Sequence, residues 1–259
     1  MCGIAGTFRL TGSVLAEDVS AVLRMLDAQI RRGPDDWGLL VPDSALADAE
    51  IRRLLERYDP AHVHAYPAVP GAPAAVLGSR RLSIIDLSTH GRMPMGSDDG
   101  RRWVVQNGEI YNYRELRAEL VGAGAFRSAT DTEVLVRGWE AWENGVTERL
   151  RGMFAFALFE AAPRPDCSWA ATRSASSRCT ATRTGRESSS PRKCAPSSRA
   201  VSFLTRQAPK PSAAFSSSAS AISISTGAST CVRCARTFPT LQSMSISCRS
   251  SGRISRDRC

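Results

Sequence analysis

Met1-Cys2-Gly3-Ile4-Ala5-Gly6 opens the chain. The place of Cys2, directly after the initiator methionine, decides what the downstream residues must supply. Removal of Met1 leaves a cysteine that carries both a thiol and a free α-amine. The thiol is a nucleophile, and an amine with a pKa of about 8 is a base at neutral pH. One residue then holds two catalytic roles. The competing reading is a small residue at the start of a strand, and a short N-terminal run does not choose between them. The choice falls to the polar clusters further along.

With 259 residues the chain can form one large domain or two modest ones. No apolar run is long enough to span a membrane. The start lacks the basic-then-apolar pattern of a secretory signal, so a cytoplasmic protein is expected. The formal charge of +9 averages two unlike segments. Residues 1–163 carry 18 Arg against 22 Asp and Glu, a net −4, whereas residues 164–259 carry 16 Lys and Arg against 3 acidic residues, a net +13. Seven of the eight cysteines and 24 serines also lie in that second segment.

A basic tail can mark a nucleic-acid partner, but here the charges sit among Ser, Ala, Thr and Pro with few aromatics for stacking. Nucleic acid is therefore disfavoured. Cys231-Val232-Arg233-Cys234 is a CxxC without a second pair at metal-ligand spacing, so no metal is expected. A change of reading frame fits the tail better. Residues 166–180 can be back-translated with permitted codons so that a shifted frame encodes LLLGRDPLGIKPLY, and residues 187–200 permit VVFASEVRALLAS in that same frame. Both peptides have ordinary globular composition. The expectation is a domain over residues 2–163 and an out-of-frame or disordered Ser/Arg/Ala-rich tail over residues 164–259.

Within the first segment, residues 2–10 read as a strand. Residues 17–31 place Val19, Val22, Leu23, Leu26 and Ile30 at helical steps, and Gly33-Pro34 stops that helix. Residues 44–59 give a second helix, followed by a Pro/Ala/Gly-rich connector. Residues 76–86 and 102–110 read as strands. Asn112 and Glu115 have capping-box spacing for a helix through Leu120. Asp131 or Thr132 opens the next helix. Residues 153–159 alternate, with Phe154, Phe156 and Leu158 on one face and Ala155, Ala157 and Phe159 on the other. Strands and helices mix without a βαβ rhythm, so the class is α+β.

Four polar clusters fall at element ends: Arg32-Gly33-Pro34-Asp35, Arg80-Arg81-Leu82-Ser83, Asn107-Gly108-Glu109 and Ala129-Thr130-Asp131-Thr132. Each has a bland reading on its own. Gly33-Pro34 serves as a helix stop, Asn107-Gly108 as a tight turn, and Asp131 as an N-cap. Together, the runs MCGIAG, RRGPDDWG, LGSRRLSIIDLS, NGEIYNYRELRAEL, SATDTEV and RGMFAFALF resemble the class II glutamine amidotransferase domain, and within it the asparagine synthetase branch. The shifted-frame peptides resemble the next segments of that family's domain.

The resemblance implies an N-terminal-nucleophile αββα sandwich, incomplete here because the family continues with further strands beyond residue 163. It implies that Cys2 attacks the side-chain amide of glutamine while its α-amine shuttles the proton. Asn107 and Gly108 would form the oxyanion hole, Arg81 would take the substrate carboxylate, and Asp131 with Glu109 the ammonium. Glutaminase chemistry would need no cofactor. ATP and Mg2+ belong to the family's synthetase domain, which would be the partner, as a domain or a subunit. Two departures stand out: an insertion over residues 44–72, whose helix is placed to cover the site or meet a partner, and Ser79 where the family carries His. His62, His64 and His90 are expected at the surface or in loops. Missing strands would compromise folding and activity. The alternatives are a non-catalytic fragment with a nucleic-acid-binding tail and a stand-alone glutaminase subunit.

Overall fold

The computed structural model describes residues 2–9, 12–70 and 72–161, together with the backbone of five later strands between residues 166 and 247. Two six-stranded sheets lie face to face, with helices on both outer surfaces.

The first sheet has the order β3 (Val63–Tyr66), β2 (Asp36–Pro42), β4 (Ala74–Arg81), β1 (Gly3–Arg9), β10 (Ala200–Gln207), β9 (Ser177–Thr184). The second has the order β11 (Val232–Cys234), β12 (Leu241–Ser247), β8 (Asp166–Thr172), β7 (Gly152–Glu160), β6 (Arg102–Ile110), β5 (Met95–Gly96). All neighbours are antiparallel except β2 and β3.

Strand alternation builds three apolar layers. Ile4, Phe8, Leu77, Val105, Ala155, Ala157 and Phe159 fill the space between the sheets. There Phe159 meets Phe8 and Tyr66 edge-on, at centroid distances of 6.2 and 4.8 Å. Burying one such ring contributes about 1.5–3 kcal/mol. The opposite face of β7, carrying Phe154, Phe156 and Leu158, packs on α3 (Tyr113–Glu119), α4 (Thr132–Trp142) and α5 (Val146–Arg149). The outer face of the first sheet packs on α1 (Ala16–Asp27) and α2 (Ala49–Leu55). The α+β class and the αββα layering follow.

Several expectations change. The sheets do not stop at residue 163: β8 extends the second sheet from β7, and β10 extends the first from β1. The open edges of β1 and β7 offer free N–H and C=O groups, and any backbone can answer them whatever its side chains. The tail's side chains, with Cys231 of the CxxC, lie outside the described residues.

The insertion does not cover the site. Its helix shrinks to α2, flanked by 3-10 turns, and Ile51 and Leu55 pack in the outer layer beside α1. The insertion also supplies β3, pinned by Tyr66, whose hydroxyl donates to the Ala75 carbonyl at 3.1 Å and accepts the Ala75 N–H at 2.8 Å. His62 is not a loose loop residue. Its ring stacks on Trp37 and sits 3.2 Å from the Asp36 carboxylate.

The capping box at Asn112 does not form. The Asn112 side chain donates to the Arg149 carbonyl at 2.9 Å and accepts the Arg151 N–H at 2.8 Å, which ties the start of α3 to the approach of β7. Among the described residues no helix is long and apolar enough to cross a membrane.

Candidate active site

Alternation carries three polar side chains into the layer between the sheets. Ile4 and Phe8 face inward on β1, and Cys2 continues that series at its head. Ala75 and Leu77 face inward on β4, and Arg81 continues it at the strand's end. Val105 faces inward on β6, and Asn107 comes two residues later. The apolar layer thus ends in a polar corner.

Cys2 and Arg81, with Leu82, Gly108, Glu109 and Asp131, line a cavity of about 100 Å³. Leu82 N–H donates to the Cys2 sulfur at 3.4 Å, and the thiol lies 3.7 Å from the Leu82 carbonyl. Burial pushes the thiol above its ordinary pKa, against the opposing pull of the Leu82 N–H and the Arg81 charge, and the Asp131 charge raises it further. Cys2 is therefore held as a thiol and needs a base to become a nucleophile. Arg32 donates to the Cys2 carbonyl at 3.1 Å, so the Arg32-to-Asp35 cluster braces the nucleophile's backbone instead of entering the cavity.

Arg81 is buried, at 5 % exposure. Its guanidinium donates to the carbonyls of Asp86 and, at 3.3 Å, of Ser88. Among the described residues it has no carboxylate within ion-pair distance. Gly91 packs so closely on the guanidinium that a Cβ there would overlap it. The Asp86 carboxylate accepts the Ser88 N–H at 2.8 Å, the Ser88 hydroxyl at 2.6 Å and the Ala129 N–H at 2.8 Å. These bonds, with the nearby Arg81 charge, hold its pKa down at about 2. Asp86 thereby couples the loop after β4 to the loop before α4.

Asp131 is also buried, at 6 % exposure. It does not cap α4, because no side-chain bond joins it to that helix. Its Oδ2 instead accepts the Ile110 N–H at 2.8 Å and the Gln106 Nε2–H at 2.8 Å. Burial raises its pKa above the usual 3.8, an effect these two bonds oppose and the Glu109 charge reinforces. No cation pairs with it among the described residues. Glu109 itself lies exposed at the cavity rim.

Gly108 has φ +117°, and a Cβ there would overlap the Met153 carbonyl oxygen. Only glycine allows β6 to run this close to β7 while its N–H is turned by that dihedral. Asn107 is 3 % exposed, and its Oδ1 is buried without a hydrogen-bond partner among the described residues. Asn107 flanks the cavity without lining it. Ser79, the residue in place of His, donates its hydroxyl to the Met93 carbonyl at 2.6 Å and so anchors another wall of the cavity.

All six sequence-predicted residues therefore gather at one end of the sandwich. Sequence reasoning missed Gln106 and Asp86 as site residues. A polar residue directly after the apolar run Trp103-Val104-Val105, still within the strand, was the one available signal for Gln106. Among the described residues no group of three or more His, Cys, Asp or Glu side chains is arranged to hold a metal.

Comparison with known proteins agrees with this geometry. The glutamine amidotransferase domain family matches residues 68–165. Asparagine synthetase [glutamine-hydrolyzing] 1 of Bacillus subtilis is 32 % identical over 161 residues, covering 61 % of this chain and 21 % of the relative. A putative glutamine-hydrolysing asparagine synthetase of Mycobacterium tuberculosis is 40 % identical over 129 residues, covering 47 % of this chain and 20 % of the relative. The chain thus spans about a fifth of the length of these curated relatives. Among solved structures, the glutamine phosphoribosylpyrophosphate amidotransferase of B. subtilis shares the fold, with a TM-score of 0.50 at 15 % identity over 78 % of this chain and 41 % of that one. Residues 68–165 thus match the glutamine amidotransferase domain family, and the curated relatives are named as glutamine-hydrolysing asparagine synthetases.

Proposed function

We propose that this glutamine amidotransferase domain hydrolyses the side-chain amide of glutamine to glutamate and ammonia, with Cys2 as nucleophile. One observation carries the reading: a buried guanidinium and a buried carboxylate, each hydrogen-bonded among the described residues only to neutral groups, face one cavity beside a thiol. Burying a charge without a counter-charge is costly. A ligand with a carboxylate and an ammonium on one carbon offsets both costs at once, and glutamine adds an amide at the reach of the thiol.

The steps use the residues present. Removal of Met1 frees the α-amine, which takes the Cys2 proton, and the thiolate attacks the amide carbon. The Asn107 side-chain amide and the Gly108 N–H donate to the developing oxyanion. The protonated amine then delivers its proton to the leaving nitrogen, ammonia departs, and water hydrolyses the thioester to glutamate. Arg81 holds the substrate carboxylate, and Asp131 with Glu109 holds the ammonium. These steps call on no metal or organic cofactor.

The ammonia is assigned to a synthetase domain or subunit of the kind named in the relatives, where ATP and Mg2+ would activate a carboxylate acceptor. The test is direct. The purified chain, with Cys2 verified as its first residue by intact mass, is expected to release glutamate and ammonia in equal amounts from glutamine. Failure to release either would sink the reading.

Two further outcomes are expected. Gly91→Ala crowds the guanidinium it touches, so the KM for glutamine should rise by about tenfold with kcat little changed. A drop in kcat alone would contradict that placement of Arg81. The second concerns pH. Burial raises the pKa of Asp131, so it takes up a proton more readily than an exposed carboxylate as the pH falls, and protonation removes the counter-charge for the ammonium. The KM for glutamine should therefore climb as the pH falls toward and through that value. Steady-state assays between about pH 4 and 8 check the direction.

The composition change after residue 163 is attributed to a shift of reading frame near residues 160–166. The nucleotide sequence across codons 158–170 tests it, and the absence of any open shifted frame there would refute it.

A further inference from the structure

Gln106 lies on β6 beside the oxyanion pair and is 2 % exposed. Its Nε2 donates to Asp131 Oδ2 at 2.8 Å and lies 3.4 Å from the Gly108 carbonyl oxygen. Both neighbours are acceptors, so reversing the amide would set its oxygen against two other oxygens. The network fixes the orientation. Oε1 is then the free end, and it is buried without a hydrogen-bond partner among the described residues. Gln106 also lines the cavity.

The chemistry of this neighbour matters. An Arg or Lys at position 106 would neutralise Asp131 internally and leave no charge for a ligand. A neutral amide fixes the carboxylate and preserves its charge. An ammonium has three N–H donors; Asp131 and Glu109 answer two of them, which leaves one for another acceptor.

We propose that Gln106 sets the preference for a substrate bearing an α-ammonium group: its amide nitrogen holds Asp131 in place, and its amide oxygen accepts the ammonium hydrogen that the two carboxylates leave. This rests on the glutaminase reading above and names the residue that makes that reading selective. The other charged or titratable groups that share the cavity with Asp131 are Glu109 on β6, Cys2 before β1, Arg81 at the end of β4 and Asp86 in the loop after it. Arg117 of α3 donates to the Ser128 and Thr130 carbonyls beside it.

The experiment compares two substrates in the full-length chain: glutamine and 4-carbamoylbutanoate, its analogue without the ammonium. Gln106→Met keeps the volume and removes both hydrogen-bonding ends. Glutamine kcat/KM is expected to fall about tenfold to a hundredfold, chiefly through KM, while the analogue's value stays within about twofold. The acid limb of the glutamine profile should also move to higher pH, because the Gln106 bond that favours ionised Asp131 is gone. An equal loss on both substrates, or no loss on either, overturns the proposal. Should the Met variant fail to fold, Gln106→Asn is too short to reach Asp131 and must give the same split. Wild-type chain that hydrolyses neither substrate overturns the glutaminase reading and this inference with it, a result separate from any outcome in the variants.

Discussion

Cys2→Ala is expected to lower glutamate release by about 10⁴-fold or more while leaving the fold intact. Among the described residues the sulfur's hydrogen bonds go to the backbone of Leu82, and only the thiol group is lost, so the melting temperature should barely move. No other cysteine with a described side chain exists to replace it. The same magnitude is expected when Met1 is retained, because the nitrogen of Cys2 is then an amide and no longer a base. Burial holds the thiol above its usual pKa, so a site without that base is left with an unreactive thiol. Intact mass and a glutamate assay on the same sample separate the two cases. Substantial turnover in Cys2→Ala, or in the Met1-bearing chain, would move the nucleophile or the base elsewhere.

Asp131→Asn is expected to reduce kcat/KM for glutamine by about 150- to 4,000-fold, mostly by raising KM. The change keeps the shape and an oxygen for the Ile110 N–H, but removes the charge that answers the substrate ammonium. Breaking a buried ion pair costs about 3–5 kcal/mol, which converts to that range. The Asp131 charge also raises the Cys2 pKa, so alkylation of the thiol should be unchanged or slightly faster in the variant. This contrast matters, because general damage to the site would slow both reactions. A fall in kcat with KM unmoved would assign Asp131 to the chemistry instead of to binding.

The inward-facing positions were legible because strand alternation has a fixed period. Once β6 and β7 were placed, the faces carrying Phe154 and Ala155 were set, and so was the direction of Asn107. Asp131 was ambiguous for a physical reason. An acidic residue just before a helix is equally suited to capping it, and only the Ile110 N–H, brought in from β6, draws the carboxylate away. Asn112 failed as a cap for a similar reason, since residues 149–151 compete for its amide. Gln106 left only a faint trace, one polar residue after an apolar run, because its meaning depends on a partner 25 residues away. The tail strands were missed because backbone pairing leaves little trace in composition, whereas the serine and charge content read there is a property of side chains.

The central position of β1 sets an order of events. One neighbour, β4, is made early, but the other, β10, arrives only with residues 200–207. Until then the strand that begins after Cys2 is bare along one edge. Pairings this distant in sequence close slowly, since the intervening chain must be gathered first. The N-terminus is thus synthesised first and locked into its sheet among the last. A methionine-removing enzyme is expected to reach position 1 while β1 still has that bare edge.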